Sequence, residues 1–153
     1  MRNHKSQHSR LLARRNPNAA TRQRSPSADE LILIVEMNEW TSGSLPLQLR
    51  QVGHDVRVAQ GKKVALEQLK HVHPRLLIVG GSADLDFYHT LRHTLSSPIL
   101  ALASWADEGQ TLAAFAAGVD DYQAGSIGDD EVVMRARVLL RRAKRSALAT
   151  AAP

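Results

Sequence analysis

Pro74-Arg75-Leu76-Leu77-Ile78-Val79-Gly80-Gly81 decides how the chain is read. A wholly apolar run stands here between a proline and a glycine pair. Its length and its Leu/Ile/Val content suit a strand buried on both faces, as in a parallel sheet covered by helices. Ligands of open α/β sheets sit beyond the carboxyl ends of such strands. At this edge the sequence places Gly80 and then Gly81, with no side chain at all.

The segments around it repeat one pattern. Leu31-Ile32-Leu33-Ile34-Val35 is a second buried-strand run, followed by Glu36 and Met37. Ser44 is placed to cap a helix with Pro46 in its first turn, where a missing N–H is tolerated. Leu45, Leu49 and Val52 share one helical face, and Gly53 is a natural stop. Asp55 to Ala59 alternates as a strand. Lys62 to His71 reads as a helix with Val64, Ala65, Leu66 and Leu69 facing inward. Asp84 or Asp86 opens a helix that runs to about Thr94. Pro98 to Ala103 is the fourth strand, and Asp107 starts a small-residue helix stopped by Gly118. Asp121-Tyr122-Gln123-Ala124 is a short fifth strand. Asp129, Asp130 and Glu131 begin the last helix and the Arg141–Arg145 stretch ends it, both matching the helix dipole. The alternation predicts an α/β fold, a five-stranded parallel sheet with helices on both faces.

With 153 residues, of which 43% are hydrophobic and 4% aromatic, the chain has enough for one core built from Leu, Val, Ile and Ala. The absence of cysteine excludes disulfides and thiol chemistry. No apolar run approaches the length of a membrane span, so no membrane association is expected. The formal charge of +5 is uneven. Residues 1–29 carry net +6, and residues 30–153 net −1, although six basic groups crowd between Arg135 and Arg145. Residues 1–29 are expected to form a disordered basic tail, because they hold too little apolar surface to offset chain entropy. Such a tail also fits a transit peptide or a polyanion-binding arm, and it lacks the apolar stretch of a secretory signal. Residues 30–145 then form the folded domain, and residues 146–153 a flexible end.

Several stretches, in order, resemble a response-regulator receiver domain. Ile32 to Glu36 resembles its first strand with the leading acid. Gly53-His54-Asp55-Val56-Arg57-Val58-Ala59 resembles the second, Pro74 to Val79 the third, and Pro98 to Ala103 the fourth. Ala117-Gly118-Val119-Asp120-Asp121-Tyr122 is similar to the family's "A-G-A-D-D-Y". Glu131 to Arg142 is similar to the fifth helix of regulators that carry a winged-helix output domain. The resemblance covers about residues 30–145 and implies the (βα)5 flavodoxin-like receiver fold in a two-component phosphorelay.

A receiver takes a phosphoryl group onto an aspartate ending the third strand, beside a Mg²⁺ held by an acidic pair. A lysine after the fifth strand and a Thr or Ser ending the fourth assist. By the resemblance the nucleophile position is Gly80 and the acidic pair is Glu36 and Met37. The hydroxyl position is Ala103 and the lysine position is Gly125, followed by Ser126. Only Glu36 keeps the family's residue type. Ser104 is no simple substitute for the hydroxyl, because adjacent strand residues face opposite ways. The resemblance therefore implies an atypical receiver that is not phosphorylated, is not an enzyme, uses no cofactor or metal, and works in the cytoplasm by binding a protein partner.

The same residues carry further readings. Asp84 and Asp86 fall in the next helix and cannot replace the nucleophile. Glu36 or Glu39 reads as a polar rim before it reads as a cation site. His71/His73 and His89/His93 lack a third ligand. Trp40 and Trp105 fall in loops at the carboxyl edge, either as plugs over the emptied site or as partner contacts. Tyr122 stands where receivers carry a switching aromatic, and beside Ala103 its ring is expected inward or mixed without any trigger. The face made by the fourth helix, fifth strand and last helix resembles a receiver dimer face. Asp120, Asp121 and Glu131 match its acids, and Arg135 and Arg142 its arginines. Thr111 replaces an expected basic residue, leaving Leu112 and Phe115 more apolar. A weak homodimer, or another protein on that face, is expected. The alternative is a nucleic-acid-associated regulator that uses the basic tail and the Arg-rich last helix.

Overall fold

The computed structural model describes residues 31–38 and 40–152. The expectations for the tail at 1–29 and for Glu39 lie outside the described residues.

Five strands form one parallel sheet: β1 Leu31–Glu36, β2 Asp55–Gln60, β3 Leu76–Gly80, β4 Ile99–Ala103 and β5 Asp121–Ala124. Their spatial order is β2-β1-β3-β4-β5. The helices between and after them are α1 Leu45–Gln51, α2 Gly61–Leu69, α3 Leu85–Thr94, α4 Glu108–Ala116 and α5 Asp129–Ala151. The order reverses between β1 and β3, the place where open α/β sheets leave a crevice at the carboxyl edge. Register sets Glu36 beside Gly80 and Gly80 beside Leu102, so the site positions share that edge.

Strand alternation divides the core in two. Leu33, Val35, Leu77, Val79, Ile99 and Ala101 face one way and pack with Ala65, Leu69, Phe87, Leu91 and Ala114 of α2, α3 and α4. Ile32, Ile34, Leu76, Ile78 and Leu100 face the other way and pack with Leu45, Leu49, Val132, Ala136 and Leu139 of α1 and α5. The central strands are apolar throughout because each has helices on both sides.

Four local expectations need correction. Val52 and Val64 are exposed, because α1 ends at Gln51 and α2 turns Ala65 and Leu69 toward the sheet instead. The Ser44 hydroxyl does not cap α1; it donates to the Asp129 carboxylate at the start of α5 and ties the two helices together. The end expected to be flexible at 146–153 is helical as far as Ala151. Ala, Arg, Lys and Leu favour helix, and no Gly or Pro interrupts them before Pro153. By contrast, Asp84 caps α3 by accepting from the Phe87 N–H at 2.8 Å, and Asp107 caps α4 by accepting from the Gln110 N–H at 2.7 Å.

Candidate functional site

The loop from Met37 to Ser42 folds down onto the end of β3. The Met37 N–H donates to the Gly80 carbonyl at 2.8 Å, and the Trp40 N–H donates to the Met37 carbonyl at 3.1 Å. Across the sheet the Gly81 N–H donates to the Leu102 carbonyl at 2.8 Å. Asn38 takes a left-handed φ of 54°, and its side-chain amide donates to the Ser82 carbonyl at 3.0 Å. Two adjacent loops are therefore laced together over the strand end.

This lacing brings the half-buried Trp40 indole onto Gly80. A Cβ on Gly80 would lie 2.2 Å from Trp40 Cε3 and 2.3 Å from Cδ2, so position 80 has no room for a side chain. Gly81 is constrained twice. Its φ is +96°, and a Cβ there would lie 2.3 Å from the Met37 carbonyl oxygen. The glycine pair is thus the counterpart of a packed tryptophan loop. Trp40 also packs against the core on the α1/α5 side, while Trp105 stays exposed. One of the two tryptophans covers the strand end and the other does not.

Glu36 is not a solvated rim. It is 8% exposed and accepts from the Ser42 N–H at 2.7 Å, from the Ser42 hydroxyl at 2.5 Å and from the Gln60 side-chain amide. Burial pushes its carboxyl up, but the bonds from Ser42 and Gln60 outweigh that and hold it below its ordinary value. The carboxylate braces the loop that carries Trp40. Sequence reasoning missed this role; Ser42, six residues on, was the available signal.

Met37 is buried in the core on the α2/α3/α4 side, Ala103 is buried at the end of β4, and Gly125 has φ +91° with open space beside it. Asp84 is occupied by its cap and by Lys62 at 2.5 Å. His89 and His93 are exposed, and no group of three or more metal-ligating residues occurs among the described residues.

A solved structure described as a putative response regulator from Chloroflexus aurantiacus J-10-fl is 30% identical to this chain, with a TM-score of 0.64. The likeness covers 73% of this chain and 98% of that one. The chain belongs to the response-regulator receiver family. The transcriptional regulatory protein PhoP of Escherichia coli K12 is 34% identical over 119 residues, 72% of this chain and 52% of that protein. CreB of the same strain is 29% identical over 121 residues, 76% of this chain and 53% of that protein. The chain thus spans about half the length of the curated relatives it matches. The receiver from Methanospirillum hungatei JF-1, at 14% identity and a TM-score of 0.70, supports the fold. No family model matches the chain.

In this receiver Tyr122 is half-buried and packs on the core cluster that contains Tyr88. On the face made by α4, β5 and α5, Arg135 binds Asp121 at 3.2 Å and Glu131 at 2.7 Å within one chain. Asp120 accepts from the Ile99 N–H at 2.8 Å and pairs with Arg92 at 3.1 Å. Arg142 is exposed and makes no ion pair among the described residues. Thr111 is half-buried, and Leu112, Phe115 and Met134 are exposed.

Proposed function

We propose that this receiver does not take up a phosphoryl group and acts in the cytoplasm as a protein-interaction module of a two-component-type pathway. The observation that carries the reading is the Trp40 indole over Gly80, in the space an aspartate side chain would need. Phosphoryl uptake on a receiver needs a carboxylate nucleophile and a cation beside it. Here the strand ends in glycine, Met37 is buried in the core, and Glu36 is occupied by Ser42 and Gln60. Ala103 and Gly125 offer neither a hydroxyl nor an ammonium. Incubation with acetyl phosphate and Mg²⁺, followed by intact mass, is expected to give no adduct, and a beryllofluoride mixture no backbone NMR shifts near Glu36 and Gly80. A specific adduct or clustered shifts there would refute the reading.

The surface that fits a partner is the α4–β5–α5 face. Apolar Leu112, Phe115 and Met134 stand there beside the Arg135–Asp121–Glu131 cluster and the exposed Arg142, which has no ion pair among the described residues. Because the arginine at 135 is matched within its own chain, apolar contact has to supply most of any association.

A second reading, association with nucleic acid, draws on α5. Arg137, Arg141, Arg142, Lys144 and Arg145 are all exposed on it, and no acid follows Glu131. Phosphate contacts make binding fall steeply with salt. Binding of the full chain to duplex DNA that does not weaken when Arg141, Lys144 and Arg145 become glutamine would count against this reading.

A further inference from the structure

Between the first turns of α3 and α4 lies a cavity of about 610 Å³ that opens at the carboxyl edge of the sheet. Small residues make the room, among them Gly81, Ala103 and Ala113. Tyr88, Tyr122 and Trp105 supply its aromatic surface, and Asp84 and Asp107 stand at the two helix starts.

Tyr88 makes this more than a surface dent. The residue is only 3% exposed, yet its hydroxyl has no hydrogen-bond partner among the described residues. Buried phenols ordinarily have one. The sealed, unpartnered side-chain atoms among the described residues belong to Gln68 and Arg92 and not to Tyr88. Tyr88 lines the cavity. Tyr122 lines the same cavity, and its hydroxyl is likewise unpartnered among the described residues. Two phenol side chains, one of them buried, line the same space.

Charge selects the visitor. Among the described residues no Lys, Arg or His lines the cavity. Each helix start carries roughly half a positive charge, and each is met by a full carboxylate at its cap. Asp84 is further matched by Lys62, which leaves Asp107 as the cavity carboxylate without a cation among the described residues. Exposed Trp105 on the rim offers a flat π face, and planar guanidinium groups both stack on such faces and donate in-plane to carboxylates.

We propose that this cavity binds a guanidinium group, held by the Tyr88 and Tyr122 hydroxyls and the Asp107 carboxylate with the Trp105 indole stacked on it. The site holds or fails separately from phosphate uptake at Gly80, which is read by a different measurement. A free compound and an arginine from the first 29 residues, which contain six arginines, bring the same head group.

The test is titration of the full chain with agmatine, followed by calorimetry and backbone NMR. Saturable binding is expected, with shifts at Gly81–Tyr88 and Trp105–Ala114, and none with acetate. Asp107→Asn keeps the helix cap but removes the charge, and should weaken binding roughly tenfold. Tyr88→Phe should weaken it severalfold without unfolding the domain, because the lost hydroxyl has no partner among the described residues. Ala113→Leu, which fills the cavity from α4, should abolish it. If agmatine binding tightens when the six tail arginines become glutamine, the tail is the competing occupant; unchanged affinity identifies a free compound, and the site stands in both cases. Absence of binding at about 10 mM agmatine, equal response to acetate, or affinity unchanged in all three cavity variants overturns the proposal.

Discussion

The indole of Trp40 lies so close over Gly80 that a Cβ on the glycine would stand 2.2 Å from the ring. The two residues are 40 positions apart in sequence and fit only as a pair. A side chain at 80 expels the ring, and with the ring absent the glycine leaves a void. This coupling makes the strand end testable by mutation.

Gly80→Asp should destabilise the domain by about 1–3 kcal/mol, because an inserted side chain must push Trp40 aside. Trp40→Ala alone should also destabilise it, by loss of half-buried apolar surface. The double variant should lose less than the sum of the two by at least about 0.5 kcal/mol, as contacting residues do. Urea unfolding of the four proteins measures this, and strict additivity would show that the ring and the glycine are not in contact.

Glu36 should give the domain an acid-sensitive component. Its carboxyl is held below the ordinary value of 4.5 in the folded state, since burial, which raises it, is outweighed by the Ser42 and Gln60 bonds. A depressed folded value means that its stabilisation is present above the unfolded value and is lost as pH falls through the folded one. Glu36→Gln should cost about 1–3 kcal/mol near neutral pH. The gap from wild type should narrow below pH 4.5, where wild type becomes protonated as well. A gap that stays constant from pH 7 to pH 3 would contradict this account.

Arg135→Glu should change stability by no more than about 1 kcal/mol, because its pairs with Asp121 and Glu131 are partly exposed. Its effect on association is the sharper readout. Sedimentation of the full chain across salt should show a weak, salt-sensitive self-association that the reversal alters and that Asp121→Arg with Arg135→Glu partly restores. A chain that stays monomeric at high concentration, or association indifferent to both variants, removes this face as the dimer surface.

Tyr88 and Tyr122 should both titrate above the ordinary tyrosine value of 10.0, chiefly because burial disfavours the phenolate. The charges of Tyr122 and Asp84 add to this at Tyr88, and that of Asp107 adds at Tyr122. A raised folded value means full stabilisation below the unfolded one and loss as pH rises through the folded one. Stability should therefore fall above pH 10, less steeply in Tyr88→Phe. Ultraviolet titration checks the order: Asp107→Asn should lower the Tyr122 midpoint and leave Tyr88 nearly unmoved.

The layered fold is written in local sequence patterns. Leu31–Val35, Leu76–Val79 and Ile99–Ala103 are apolar at every position, which only a strand covered on both faces requires, and Asp84 and Asp107 mark helix starts by a local rule. The same pattern sets Gly80 and Gly81 at the carboxyl end of the third strand. What packs over this strand end is set by contacts between distant loops. That Trp40 and not Trp105 covers the strand end depends on the Met37–Gly80 and Asn38–Ser82 bonds between loops far apart in sequence. That Glu36 braces this loop depends on Gln60 arriving from the neighbouring strand. Likewise, Arg135 finds Asp121 because α5 packs back along the sheet. Periodicity and capping are written in neighbouring residues, whereas contacts between loops exist only once the strands have set their spacing.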